Sequence, residues 1–192
     1  MEKLTGLKKI KTAVFISGTG SNLKSIIKFS KLKKSPISIN LIISNTRLAK
    51  GLKYADQFRI KKKIFNFINF KKAEKNISIL LKKDKIKFIC LAGFMKILSK
   101  NFIKNLDGRI INIHPSLLPK YKGLNTHSRA IKNNDKFTGC TVHYVIDALD
   151  SGQIILQKKI KISADDSSTS LAKKVLKQEH KLYPAAIMKI FN

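Results

Sequence analysis

Two side chains able to do chemistry stand two positions apart in Arg109-Ile110-Ile111-Asn112-Ile113-His114-Pro115: Asn112 and His114. The apolar residues around them read as a buried strand, and this spacing on a strand sends both side chains to one face. Pro115 biases His114 toward an extended backbone, so the strand is expected to run to the histidine and stop. An amide and an imidazole then emerge together at a strand end, where open α/β sheets place their sites. An amide N–H can donate to an oxygen that gains negative charge, and an imidazole moves protons near neutral pH. A carboxylate beside the imidazole favours its charged form. Asp150, in the expected turn 147–152, can come to the same edge. The same pattern also suits a strand edge with two hydrogen-bonded polar residues, so spacing alone leaves the choice open.

Such a group needs strands whose C-terminal ends meet. Residues 11–16 read as a first strand. Ser17-Gly18-Thr19-Gly20-Ser21-Asn22 follows, and then Leu23, Ile26 and Ile27 recur at helical spacing. Strand, glycine loop and helix start make a ready anion site, because glycines admit a phosphate to the backbone and free N–H groups point at it. A tight strand-to-helix turn would use the same residues, and neither a Walker loop nor a full dinucleotide fingerprint is present. Further strands are expected at 37–43, 63–68, 87–92, 109–114, 140–146 and 154–162. Helices are expected at 48–58, 73–83, 99–106 and 128–133. A last helix starts near Asp165, and Pro184 should kink or interrupt it. Alternating strands and helices predict an α/β fold, a single domain over 1–192 with a mostly parallel, twisted sheet of about seven strands and helices on both faces. Right-handed crossovers line the strand C-termini along one edge, so the glycine loop and the Asn112/His114 pair share a crevice.

Other residues weigh less. Gly93-Phe94-Met95-Lys96-Ile97-Leu98 follows a strand, as core or as the wall of a flat apolar pocket. His127 reads as a surface polar residue or a helix N-terminal contact. His143, within an expected strand, reads as structural rather than catalytic.

Composition sets bounds. The chain of 192 residues is 43% hydrophobic and 27% charged, an ordinary globular balance with length enough for a full core. No apolar run is long enough to span a bilayer, and residues 1–11 make a poor signal peptide. Cys90 and Cys140 sit in apolar runs and fit buried thiols of a reducing cytoplasm. No Cys/His cluster has metal-ligand spacing. The net charge of +29 points toward polyanions. Yet the lysines are scattered over every segment and few aromatics interleave them. Lysine, isoleucine, asparagine and phenylalanine abound together, as A/T-rich codons would produce, so no specific nucleic-acid partner is expected.

Asn112-Ile113-His114-Pro115-Ser116-Leu117-Leu118-Pro119-Lys120-Tyr121-Lys122-Gly123, with Gly139-Cys140-Thr141-Val142-His143-Tyr144-Val145 and Leu149-Asp150-Ser151-Gly152, resembles the folate-dependent formyltransferases, and among them the phosphoribosylglycinamide formyltransferases of purine synthesis. The resemblance runs from about Thr12 to the C-terminus. It implies the formyltransferase fold, with a Rossmann-like N-terminal half, and transfer of a formyl group from 10-formyltetrahydrofolate to a ribonucleotide amine, without a metal. It carries catalytic roles onto Asn112, His114 and Asp150, with Asp150 holding a proton-shuttling water. It assigns the substrate phosphate to Gly20, Ser21 and Asn22, and the ribose hydroxyls to Glu179. The folate pterin falls to Met95, Lys96, Ile97 and Leu98, with Asn112, Ile146, Asp147 and Asp150. Three positions depart from the family pattern. Lys96 replaces a frequent arginine, Asn125 a common histidine, and Ser151 a frequent glycine that leaves the turn geometry open.

The resemblance also admits methionyl-tRNA formyltransferase, which shares the Asn/His/Asp core, and formyltetrahydrofolate deformylase, a hydrolase. The first is expected to carry an extra C-terminal domain and to lack the Gly-x-Gly-Ser-Asn loop; the second is expected to carry an N-terminal regulatory domain. Small-molecule substrates, a monomer or homodimer and a cytoplasmic location complete the expectation.

Overall fold

A computed structural model describes residues 9–191, and the reading of the N-terminus as a poor signal peptide falls largely on residues 1–8, outside the described residues. Among the described residues seven strands form one sheet: β1 (Ile10–Ile16), β2 (Ile37–Ser44), β3 (Lys61–Ile64), β4 (Phe88–Leu91), β5 (Arg109–His114), β6 (Phe137–Tyr144) and β7 (Ile154–Lys161). Their order is β3-β2-β1-β4-β5-β6-β7. Strands β1 to β5 run parallel, while β6 is antiparallel to β5 and β7 to β6. The order reverses between β1 and β4, and that switch point opens a crevice at the strand C-termini.

The core alternates along β1. Val14 and Ile16 enter one buried cluster, Ala13 and Phe15 the other. A two-residue period thus feeds both faces. One face is covered by α1 (Ser21–Ser30) through Leu23, Ile26 and Ile27, and by α6 (Ser168–Phe191) through Leu171, Val175 and Tyr183. The short α5 (Thr126–Lys132) lies on this side through Ile131. The opposite face takes α3 (Phe70–Lys83) through Ile77 and Leu81, and α4 (Lys100–Lys104) through Phe102. Burying each of these aliphatic side chains contributes about 2 kcal/mol. The fully buried Tyr183 hydroxyl donates to the Leu91 carbonyl (2.9 Å), with that of Ile111 at 3.2 Å, which ties α6 to the two central strands.

Several boundaries differ from the sequence expectation. The third strand is Lys61–Ile64, not 63–68, because its partner β2 ends at Ser44; Phe65 N–H makes the last bond, to Ser44 O. It is an exposed edge strand, and its lysines keep that edge from pairing with another chain. The helix expected at 48–58 is a 3-10 turn (Lys50–Leu52) and a short α2 (Lys53–Gln57), with Leu48 left exposed. Strand β6 begins and ends earlier than expected, so Ile146 lies in a loop. Pro184 does not interrupt α6. Proline removes the donor that would satisfy the His180 carbonyl, and Ser25 Oγ replaces it at 2.8 Å.

Candidate active site

Asn112 and His114 leave the end of β5 on one face, as their spacing predicts. Across the antiparallel ladder their partners are His143 and Thr141. His114 is 6% exposed. Its Nε2–H donates to the Tyr121 carbonyl at 2.8 Å, since a carbonyl only accepts. Its Nδ1 lies 3.3 Å from Asp150 Oδ2. Asp150, at φ 45, also accepts the Gly123 N–H at 2.9 Å. His143 Nδ1–H donates to the Tyr144 carbonyl at 2.9 Å, which leaves a lone pair on Nε2. The Asn112 side-chain nitrogen donates to that lone pair at 3.3 Å, so the amide is turned with its nitrogen toward His143. A second amide N–H remains for a ligand.

The charges follow from this packing. Burial pushes the His114 pKa down, and the Tyr121 carbonyl and the Asp150 carboxylate only partly offset it, so the ring is neutral at pH 7. Burial would raise Asp150, but the hydrogen bond that a protonated His143 ring gives it, the Gly123 N–H and the charge of a protonated His114 outweigh burial and hold the carboxyl below the usual carboxylate range. The site therefore holds a neutral imidazole against an ionised carboxylate.

Ser151 does not distort the turn. The left-handed residue there is Asp150, not Ser151. The position that needs glycine is Gly152, where a Cβ would run into the Tyr144 carbonyl. Ser151 Oγ instead accepts a bond from Lys122 Nζ (2.6 Å), which joins the two loops beside the site.

On one flank lies the glycine loop. Gly20 adopts φ 76 at the start of α1 and sits against Gly51, whose N–H donates to the Gly18 carbonyl at 2.9 Å. A Cβ on Gly51 would stand 2.8 Å from Gly20 Cα, so both residues must lack one. Asn22 donates to Glu179 of α6 across 2.7 Å, and both are buried. Its Oδ1 is buried without a partner among the described residues. Burial raises Glu179 above the ordinary glutamate range, with the Asn22 bond opposing.

On the other flank, 93–98 hangs from the glycine loop: Met95 N–H donates to Ser17 Oγ at 2.8 Å, and Ser17 Oγ–H donates to Asn45. Met95 and Ile97 are 63% and 67% exposed and give the flank an apolar wall. Facing it is the loop with Ile146 and Asp147, and Asp147 pairs with Lys100 at 3.0 Å. The two flanks and the centre line one cleft of about 980 Å³, within the usual size of a ligand site. An exposed apolar wall beside polar groups fits a flat heterocycle such as a pterin.

The cleft takes its walls from Asn22, Met95, Lys96, Ile97, Leu98, Asn112, His114, Ile146, Asp147, Asp150 and Glu179, all singled out from sequence. Gly20 and Ser21 stand beside it at the start of α1 rather than in its walls. Asn125, at φ 58, is also in the wall. His127 is the helix N-terminal contact of the two readings, not the surface residue: α5 starts at Thr126, earlier than the expected 128, so His127 sits in its first turn, half-buried in the cleft, with Nδ1 unpartnered among the described residues. His143 is structural in its contacts, yet it orients Asn112. Nothing in the sequence marks Tyr121 or Gly51, because neither type nor spacing identifies a carbonyl acceptor or a helix-turn glycine. Among the described residues no group of three or more His, Cys, Asp or Glu is placed to hold a metal ion.

Comparison with known proteins agrees with this arrangement. A family described as formyl transferase matches residues 10–187. The human trifunctional purine biosynthetic protein adenosine-3 is 40% identical over 183 residues, covering 94% of this chain; the chain spans only 18% of that protein's length. The phosphoribosylglycinamide formyltransferase of Haemophilus influenzae is 42% identical over 180 residues, covering 92% of this chain and 85% of that one. The crystal structure of phosphoribosylglycinamide formyltransferase from Brucella melitensis superposes with a TM-score of 0.90 at 40% identity, covering 95% of this chain and 96% of that one. With its fold, its cleft and these relatives in accord, the chain belongs to the formyl transferase family, alongside the phosphoribosylglycinamide formyltransferases.

Proposed function

We propose that the chain transfers the formyl group of 10-formyltetrahydrofolate to the amine of phosphoribosylglycinamide in purine synthesis. The observation that carries this reading is a single cleft holding both the Asn112/His114/Asp150 group and the buried Asn22–Glu179 pair. The first suits acyl transfer, and the second suits a phosphorylated ribose at the start of α1.

The amine nitrogen attacks the formyl carbon, and a tetrahedral intermediate forms. The bond from that carbon to the folate nitrogen then breaks. One proton leaves the attacking nitrogen and one reaches the departing nitrogen. Asn112 donates its free N–H to the developing oxyanion. Neutral His114 and ionised Asp150 carry the protons. The substrate phosphate rests on Gly20, Ser21 and Asn22, and Glu179 takes the ribose hydroxyls. The pterin lies against Met95, Lys96, Ile97 and Leu98, framed by Ile146 and Asp147.

Residues 1–192 then act as one formyltransferase domain, as a monomer or homodimer in the cytoplasm. The two buried free thiols, Cys90 and Cys140, suit a reducing compartment. Among the described residues no helix is long and apolar enough to cross a membrane. The test is an assay with 10-formyltetrahydrofolate that offers the ribonucleotide amine, initiator tRNA or water as acceptor, across a salt titration. Formyl transfer to the ribonucleotide is expected to persist near physiological salt, with only weak, sequence-indifferent RNA binding that vanishes there. Salt-resistant formylation of initiator tRNA would overturn the reading.

A further inference from the structure

Tyr121 holds a left-handed backbone, φ 57, in the loop between β5 and α5. A tyrosine keeps such a conformation only where its surroundings over-determine it. Four side chains do so here. The Tyr121 hydroxyl donates to Asp135 Oδ2 at 2.8 Å and accepts from Asn133 Nδ2 at 2.8 Å. Lys120 Nζ holds the other Asp135 oxygen at 2.6 Å. The Arg129 guanidinium lies 4.9 Å from the centre of the Tyr121 ring, and its Nη1 donates to the Lys122 carbonyl at 2.7 Å. These contacts join the loop to the C-terminal end of α5. Their product is a single acceptor: the Tyr121 carbonyl, 2.8 Å from His114 Nε2.

We infer that Tyr121, clamped by Asp135, Asn133 and Arg129, is a positioning residue that fixes which nitrogen of His114 carries the proton. A carbonyl cannot donate, so the resident proton is held on Nε2 and the lone pair is presented on Nδ1, toward Asp150. The titrating position of the imidazole is then the one shared with the carboxylate. Without the clamp, the peptide is free to leave the left-handed region, and the ring can take either tautomer or turn. The groups that bear on His114 are Asp150 from the turn, His143 from β6, and His127 and Arg129 from α5. Of these Asp150 favours the charged ring, as the Tyr121 carbonyl does, while His143 and Arg129 oppose it.

The inference takes His114 as the proton carrier and so rests on the proposed function, but its first readout needs no substrate. In the intact chain, ¹⁵N shifts of the His114 ring are followed across pH for the parent, Tyr121→Phe, Asp135→Ala and Asp135→Asn, with circular dichroism checking each fold. The parent is expected to show an Nε2–H tautomer. Tyr121→Phe and Asp135→Ala are expected to mix tautomers and lower the titration midpoint. Their kcat falls about 3- to 10-fold, with the acid limb moved to lower pH and the KM values for both substrates held within about 2-fold. Asp135→Asn keeps an acceptor for the phenol and is expected to restore the parent behaviour. Folded Tyr121→Phe and Asp135→Ala with parent shifts and an unmoved acid limb would overturn the inference, as would Asp135→Asn failing as badly as Asp135→Ala. A changed tautomer in a chain that transfers no formyl group would sink the proposed function instead. Should Asp135→Ala not fold, Tyr121→Phe, which keeps the ring beneath Arg129, decides alone.

Discussion

Asn22 and Glu179 stand 157 residues apart in the chain and 2.7 Å apart in the structure, a buried bond that joins the start of α1 to the middle of α6. The carboxylate is held in a place that disfavours its charge: burial raises its pKa, and Asn22 compensates only in part. A carboxyl whose folded pKa is raised favours folding below its unfolded pKa, and that contribution is lost as pH rises through the folded value. Glu179→Gln keeps an acceptor for Asn22 and removes the buried charge. It should melt at a higher temperature than the parent at pH 7, with the gain shrinking toward pH 4, and it should lose ribonucleotide affinity at least 10-fold. Calorimetry and substrate titration measure both; a variant less stable at pH 7 would mean that the ionised carboxylate is a net stabiliser.

The Asn112/His114/Asp150 group makes the strongest demand on activity. Each single change to alanine should lower kcat by roughly 100-fold or more, as losses of an oxyanion donor or a proton carrier do. Folding should survive, because none of the three belongs to the apolar clusters on the sheet faces. Steady-state rates beside melting curves make the comparison. Full activity in folded Asp150→Ala would remove that residue from the reaction.

The Gly20–Gly51 crossing sets the glycine loop. A Cβ at position 51 would meet Gly20 Cα at 2.8 Å and Ile16 Cδ1 at 2.9 Å, so Gly51→Ala must push the loop outward. The cost to stability is about 1–3 kcal/mol. Affinity for the phosphorylated substrate should fall much further than affinity for folate, and inorganic phosphate should cease to compete. Equal losses for both ligands would make the loop a structural turn alone.

Acidification should unfold this protein early. Burial holds His114, His127 and His180 below the ordinary histidine range, with His114 adding to the effect at His127. Each is neutral in the folded state at a pH where the unfolded chain already binds a proton. Stability from these groups is present above about pH 6.5 and is lost as pH falls below it. Glu179 acts in the opposite sense, as one group against three. Melting temperature should drop steadily from pH 7.5 to 5.5, and His180→Gln should flatten the slope. A flat profile in the parent would contradict the neutral assignment.

Local pattern made much of this protein legible from its sequence. The same-face emergence of Asn112 and His114 follows from the two-residue period of a strand, and its end at His114 from Pro115. The strand-loop-helix around Gly20 follows from glycine's freedom and the helical spacing of Leu23, Ile26 and Ile27. Seven strands in a mostly parallel sheet follow from the alternation of period. Where the reading failed, a distant partner had decided the matter. The third strand stops where β2 stops, and Pro184 is tolerated because Ser25 serves the orphaned carbonyl. The expected turn 147–152 lets Asp150 come to the catalytic edge, and the resemblance gives it a role there; in space the Gly123 N–H holds it. The roles that tertiary structure alone revealed belong to Tyr121, Gly51, His127 and His143. A backbone carbonyl, a missing Cβ, a half-buried ring nitrogen and an amide's orientation have no signature in residue type or spacing. They exist only once chain segments far apart in sequence are packed together, because only then does burial set which atoms must find partners.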